Sequence, residues 1–290
     1  MSTSLLYLRR RVVNAIALGM GAAATALGLA ALSWIVVVTV RNGLPAISSR
    51  LFTGITANAE QGGLRNAIVG SLLMDAMAMA ICVPIGVLAG TWLAECARQS
   101  RLGTTIRFLN DILLSAPSIV LGLFVYMLVV LPMSTLSDGR VSFSGLAGAV
   151  ALALIGLPVI VRTTDEMLQL APGALREAAL SLGIPTWKVT VQVLMRASLP
   201  GIATGVLLAL ARLAGETAPL LFTAFGNNFG TLNPLDKMAS LPVAIYQYTN
   251  DPSPELHAIA WAGALLIAAF VLTLGLVTRL LLHRARSSHD

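Results

Sequence analysis

Charged side chains are scarce in this chain of 290 residues. Only 11% of the residues are Asp, Glu, Lys or Arg, and 57% are hydrophobic, whereas a soluble domain carries about 25% charged residues. So few charges cannot cover a water-facing surface, which argues against a soluble globular protein. The net charge of +6 does not indicate nucleic-acid binding, because the basic residues form short clusters beside apolar runs. We therefore expect a membrane protein.

Cysteine and histidine are also scarce, which bears on metal binding. Cys82 and Cys96 have no C-x-x-C spacing, and the three histidines form no pattern that places two ligands on one helix face. We expect no metal site. The chain also lacks a G-x-x-x-x-G-K-[ST] phosphate-binding loop, so we do not expect it to hydrolyse ATP itself. The apolar run that begins near Val12 is too long for a signal peptide and should persist as a helix.

Six apolar segments organise the sequence. A transmembrane helix needs about 20 mostly apolar residues, and six segments meet this requirement. Their predicted ranges are 12–40, 66–94, the stretch between Asp111 and Asp138, 141–161, 198–225 and 258–278. The sequence thus predicts an all-α membrane protein with six transmembrane helices.

Lysine and arginine are unevenly divided between the two sides of these segments. If the N-terminus is cytoplasmic, the inner segments carry 13 of the 19 basic residues, the outer loops carry 5, and Arg212 lies within the membrane. Short cytoplasmic loops are generally richer in Lys and Arg. We therefore expect both termini and the loop 162–197 on the cytoplasmic side, and the loop 227–257 outside.

Three residues in the apolar segments, Arg212, Glu216 and Asp75, are candidates for a substrate pathway, and Pro219 is a candidate helix kink beside them. An arginine near mid-bilayer costs about 2.5 to 3.5 kcal/mol on insertion scales, so Arg212 should face a cavity or a partner. Glu216 lies four residues later on the same predicted helix face, which leaves two interpretations open: a structural ion pair or a pathway lining. Pro219 should kink this helix, because proline removes a backbone hydrogen bond. Asp75 in the second segment could be protonated, paired or solvated, and its direct involvement is the weakest of these predictions.

Glycines recur four residues apart in two of the segments. Gly86 and Gly90 lie in the second segment, and Gly201 and Gly205 lie in the fifth. Small residues at this spacing let helices approach closely, so we expect all four to serve packing rather than substrate contact.

The loop 162–197 contains its own predicted structure. Residues 174–182 are good helix formers, Gly183 to Pro185 should end that helix, and residues 187–196 resume an amphipathic pattern. Composition alone leaves two interpretations: a hairpin that lies on lipid, or a surface on which a protein docks.

A motif in this loop points to the second interpretation. Glu177, Ala178 and Ala179, followed after three residues by Gly183, resemble the EAA loop of permease subunits in ATP-binding-cassette importers. The motif stands in the penultimate inner loop, where that family has it. A closer resemblance is to A-type permeases of the phosphate-specific transport family. It is carried by the stretches 93–95, 116–120, 201–205, 211–224 and 241–246, and above all by the sequence GETAPLLFTA at 215–224.

The resemblance implies a fold, a function and partners. The fold is that of a type I importer permease, with residues 1–65 forming an N-terminal tail, first helix and outer loop, residues 66–278 a five-helix core, and residues 279–290 an inner tail. The function is import of inorganic phosphate across the bacterial inner membrane, with a second C-type permease, two ATPase subunits that bind ATP and magnesium, and an external phosphate-binding protein. Glu177, Ala178, Ala179 and Gly183 would contact the ATPase. Two alternatives remain: import of another oxyanion, and a self-sufficient secondary transporter or channel.

Overall fold

The computed structural model describes residues 2–56, 62–139 and 142–287. These ranges contain no β-strand, and six of their helices are long and apolar enough to cross a membrane. We refer to these helices as the first to the sixth span. In chain order they are Leu6–Ala46, Arg65–Glu95, Ser118–Leu136, Gly145–Gln169, Thr186–Leu213 and Pro254–Val277. The predicted all-α architecture with six transmembrane helices is confirmed.

Shorter helices connect the spans. They are Ser49–Thr53, Arg101–Ser115, Gly173–Ser181, Ala218–Thr223 and Leu241–Thr249. The helix Arg101–Ser115 corrects a prediction, because Asp111 does not begin the third membrane segment but lies inside this separate amphipathic helix. Ser100 caps its start by accepting a hydrogen bond from the Gly103 amide at 2.9 Å. The extended backbone of Pro117 then separates it from the third span.

The fourth span lies at the centre of the bundle. About two thirds of its most apolar stretch is buried inside the protein, far more than in any other span. Leu152 and Ile155 from this span pack in one hydrophobic cluster with Met74 of the second span and Leu213 of the fifth. The fourth span therefore positions the two helices that carry the candidate pathway residues.

Glycines make this packing close. A Cβ atom added to Gly90 of the second span would lie 2.6 Å from the carbonyl oxygen of Val161, and one added to Gly201 or Gly205 would collide with Met167 or Thr163 of the fourth span. Only a residue without a side chain allows these backbones to approach so closely. The predicted packing role of these glycines is confirmed.

The first span lies outside this core. Only 6% of its most apolar stretch is buried, and Trp34, for example, is 72% exposed. Its C-terminal end does touch the sixth span, because a Cβ atom at Gly43 would lie 2.6 Å from the carbonyl oxygen of Trp261. The exposed apolar surface of this helix suits contact with lipid.

Candidate transport pathway and coupling loop

The fifth span is interrupted beside its two charged residues. The helix ends at Leu213, residues 214–217 form a turn, and a short helix runs from Ala218 to Thr223. Two predictions are therefore wrong: the helix is not continuous to residue 225, and Pro219 is not a kink in its interior. Pro219 lies instead in the first turn of the new helix, where the missing N–H costs nothing. Because Pro219 offers no donor to the carbonyl of Gly215, a helix that continued through this point would lose a backbone hydrogen bond, which favours the interruption.

Arg212 and Glu216 lie on either side of the helix end. The Nε atom of Arg212 is 3.7 Å from Oε1 of Glu216, which is an ion-pair distance but too long for a hydrogen bond. The side chain of Arg212 is 38% exposed and that of Glu216 is 16% exposed. The guanidinium donors of Arg212 therefore remain largely available to another acceptor.

Close packing fixes the interrupted region between neighbouring spans. A Cβ atom added to Gly122 of the third span would lie 2.6 Å from Cα of Pro219, and one added to Gly156 of the fourth span would lie 3.2 Å from Leu213. Interrupted helices at membrane depth are tolerated where they are buried in protein or line a cavity. The third and fourth spans provide such surroundings here.

Asp75 approaches the interrupted region without joining the charged pair. It is 6% exposed and lines an apolar cavity of about 190 Å³ with Ser71 of its own span, Ala214 of the turn, and Leu266 of the sixth span. Within the described part of the chain Asp75 forms no ion pair with Arg212. The structure therefore places Asp75 on the same cavity as Ala214 of the turn, but not in contact with the guanidinium of Arg212.

The loop after the fourth span has a buried and an exposed face. We call its helix Gly173–Ser181 the loop helix. Glu177 and Ala178 are exposed on this helix, whereas Ala179 is 6% exposed and belongs to a hydrophobic cluster with Ala94 and Leu168. Two of the three motif residues thus face away from the bundle, and Ala179 faces the bundle.

Gly183 turns the chain back towards the bundle. Its φ angle is +73°, in the left-handed region that glycine adopts most readily. The next helix begins at Thr186 and continues through a wide turn at 189–194 directly into the fifth span. The prediction of a separate surface helix at 187–196 and a fifth span that starts at Ser198 is therefore wrong. The amphipathic stretch is the first part of the fifth span.

An ion pair that the sequence did not reveal attaches the loop helix to the second span. Arg176 donates two hydrogen bonds to the carboxylate of Glu95, from Nη1 to Oε2 at 2.6 Å and from Nη2 to Oε1 at 2.5 Å. The hydroxyl of Thr190 lies 3.3 Å from Oε2 of Glu95 and 3.2 Å from the carbonyl oxygen of Thr186, so its one proton is shared between these two acceptors. Sequence reasoning placed Glu95 only in a family signature, because no local pattern links residues so far apart in the chain.

A second bidentate pair joins the helix Arg101–Ser115 to the fourth span. Arg107 donates from Nε to Oδ2 of Asp165 at 2.6 Å and from Nη2 to Oδ1 at 3.0 Å, and the Asp165 carboxylate raises the pKa of Arg107. Arg107 also donates to the carbonyl of Leu93 at 2.8 Å. This end of the bundle therefore has two separate ionic anchors.

Comparison with known proteins places these features in a family. Residues 83–287 match the family described as binding-protein-dependent transport system inner membrane components. A phosphate transport system permease protein PstA from Xylella fastidiosa is 52% identical over 96% of both chains. The protein of the same name from Haemophilus influenzae is 51% identical over 93% of this chain and 94% of its own length. A probable one from Methanocaldococcus jannaschii is 37% identical over 91% and 92%.

A solved structure shares the fold at low sequence identity. A chain of the MetNI methionine ABC transporter in an inward-facing conformation superposes with a TM-score of 0.58, covering 82% of this chain and 99% of that one at 19% identity. This likeness concerns the permease fold alone. On the family match and the relatives above, this chain is an inner membrane component of the binding-protein-dependent transport family, in its PstA-type branch.

Proposed function

We propose that this chain is a permease subunit of an ATP-driven importer and carries inorganic phosphate across the bacterial inner membrane. The observation that carries the proposal is Arg212, a guanidinium held at an interruption of a membrane helix and only loosely paired with Glu216. The relatives named for phosphate transport support the same substrate. The chain acts as a transport component, and the energy comes from ATP hydrolysed elsewhere.

The chemistry of Arg212 suits phosphate. An oxyanion in a low-dielectric pathway needs a fixed positive charge, and the planar guanidinium fork matches two phosphate oxygens. Arg212 lies in the last turn of the fifth span, and the turn 214–217 and the short helix Ala218–Thr223 follow it. The arginine thus stands at the helix interruption, where an anion that crosses the membrane would need a positive charge.

Glu216 prevents Arg212 from holding phosphate too tightly. Conduction requires binding that is strong enough for entry and weak enough for release. A carboxylate at 3.7 Å can close on the guanidinium when phosphate leaves. Asp75 contributes indirectly, because its cavity adjoins Ala214 and leaves space beside the turn that carries Glu216.

The exposed side of the loop helix is the contact for the ATPase. Glu177 and Ala178 point away from the bundle, and Gly183 presents the helix as a short projecting element. Such a helix can insert into a cleft on a partner and move with it. Ala179, on the opposite face of the loop helix, packs against the bundle and so holds the exposed face in position.

The complete importer contains three further kinds of subunit. A homologous permease would complete the pathway, two ATPase subunits would bind ATP and magnesium on the cytoplasmic side, and an external binding protein would deliver phosphate. The uneven distribution of Lys and Arg supports a cytoplasmic location for both termini and for the loop helix.

Transport by the purified complex in vesicles tests the proposal. The chain is co-expressed and purified with its partner subunits and reconstituted into lipid vesicles. ATP is supplied on the side of the membrane that the ATPase subunits face, and phosphate-loaded binding protein is supplied on the opposite side. We expect phosphate transport that stops when ATP is replaced by a non-hydrolysable analogue and persists with a proton ionophore. Preference for molybdate or sulfate would support another oxyanion importer, and transport without ATP would support a secondary transporter.

A further inference from the structure

We infer that Glu95 is a positioning residue that transmits movement of the loop helix to the second and fifth spans. This inference rests on the proposed function, since it describes how ATP hydrolysis is coupled to transport. Glu95 touches neither the proposed substrate site nor the exposed ATPase contact. It acts through Arg176, the residue that immediately precedes the exposed Glu177.

The ion pair of Glu95, like the bidentate pair between Arg107 and Asp165, differs from the exposed charged contacts at this end of the bundle. Both carboxylate oxygens accept from Arg176, at 2.6 and 2.5 Å, and the Glu95 side chain is only 9% exposed. Arg162, by contrast, pairs with Asp111 at 2.9 Å with both side chains more than half exposed. A bidentate pair shielded from water fixes distance and angle, whereas an exposed pair is readily replaced by solvent.

The carboxylate of Glu95 connects three elements. Glu95 is the last residue of the second span, and its carboxylate binds Arg176 of the loop helix. Its Oε2 also lies 3.3 Å from the hydroxyl of Thr190 near the start of the fifth span, which shares its proton with the carbonyl of Thr186 at 3.2 Å. Thr190 and Arg212 both lie on the fifth span, Thr186–Leu213. A displacement of the loop helix therefore reaches the helix that carries Arg212 through one shared group.

Hydrophobic packing prevents the loop helix from sliding past this anchor. Ala179 lies one helical turn after Arg176 and is 6% exposed. It packs in a cluster with Ala94 and with Val189, the direct neighbours of Glu95 and Thr190 in the chain. The ionic and apolar contacts thus involve the same three elements. Together they make the loop helix a rigid attachment and not a loosely tethered one.

The test is a double-mutant cycle in the reconstituted importer. Glu95→Gln, Arg176→Gln and the double variant are each purified with their partner subunits, and the ATP hydrolysed per phosphate transported is measured. We expect all three to use at least tenfold more ATP per phosphate, with the double variant no worse than either single variant. Arg162→Gln is the matched control and should stay within twofold of the unmodified importer.

The double variant distinguishes a positioning role of Glu95 from a role in the stability of the complex alone. Arg176→Gln leaves the buried Glu95 carboxylate without its partner and can prevent assembly, whereas the double change removes both charges. A structural role would lower the yield of complex and leave the ATP cost of the remaining complex normal. A normal ATP cost in the assembled double variant, or failure of that variant to assemble, would overturn the inference.

The outcome is distinguishable from failure of the proposed function. If the unmodified importer shows no ATP-dependent phosphate transport, the proposed function is wrong. If the unmodified importer transports phosphate and the double variant does so at the same ATP cost, only the role of Glu95 is wrong.

Discussion

Arg212 and Glu216 are separated by 3.7 Å across the end of a helix, an ion pair without a hydrogen bond. Glu95 and Arg176, 81 residues apart in the chain, form two hydrogen bonds of 2.5 and 2.6 Å. The two pairs have opposite physical properties, because the first can open for another anion and the second holds two elements together. This contrast underlies the predictions for the pathway and for coupling.

Replacing Arg212 with glutamine should abolish transport without preventing assembly. Each hydrogen bond to a charged group contributes about 1.5 to 3 kcal/mol, so loss of two from a phosphate fork should reduce transport by roughly two to four orders of magnitude. Radioactive phosphate uptake by the reconstituted importer measures this, and co-purification of the partner subunits verifies assembly. Normal uptake in an intact complex would reduce Arg212 to a structural ion-pair residue.

Replacing Glu216 with glutamine should slow release and leave capture intact. The neutral amide competes less well for Arg212, so phosphate should stay longer on the permease. We expect uptake to fall several-fold while ATP hydrolysis continues, which a parallel assay of both rates detects. Faster uptake at the normal ATP cost would contradict a release role for Glu216.

Replacing Asp75 with asparagine should leave phosphate uptake within threefold of the unmodified importer. Asp75 makes no ion pair with Arg212 in the described structure, and the cavity it lines is apolar. Burying a neutral amide costs less than burying an unpaired carboxylate, so the complex should also unfold at a higher temperature. Loss of uptake as severe as that in Arg212→Gln would instead make Asp75 a direct pathway residue.

The sequence predicts the spans and the glycines well because both follow from local rules. Long uncharged runs indicate membrane helices, and Gly90 and Gly205 stand at a spacing that allows close approach. The end of the fifth span was missed because Pro219 predicts a disturbance but not whether a helix bends or stops and restarts. The contact between Glu95 and Arg176 was missed because it joins elements distant in sequence, and only tertiary packing brings them together.

Replacing Gly183 with valine should uncouple transport from ATP hydrolysis. A β-branched residue in the left-handed region costs about 1 to 2 kcal/mol, so the turn that presents the loop helix should distort. The space around Gly183 is open, so a valine side chain meets no steric clash there and the only strain comes from the φ angle of +73°. Gly173→Val is the matched control, since Gly173 also has open space but no positive φ angle.

The expected result is a separation between these two glycine variants. Gly183→Val should insert into the membrane and transport phosphate several-fold more slowly than Gly173→Val, measured at equal amounts of complex. Transport by Gly183→Val at the normal ATP cost would show that the loop helix does not couple the ATPase to the pathway.

The last prediction concerns orientation, which rests on the division of 13 inner and 5 outer basic residues. Pro185 and Asn250 are both exposed and lie on either side of the fifth span and its short continuation. In a background with Cys96→Ser, since Cys96 is exposed and Cys82 is buried, a membrane-impermeant thiol reagent added outside intact cells should modify Asn250→Cys and spare Pro185→Cys. Permeabilised cells supply the control, because both positions should then react. The physical reason is that Arg176, Lys188 and Arg196 cluster around position 185, and short loops rich in such charges remain on the cytoplasmic side. Modification of position 185 but not of position 250 in intact cells would invert the orientation and remove the loop helix from the compartment that holds ATP.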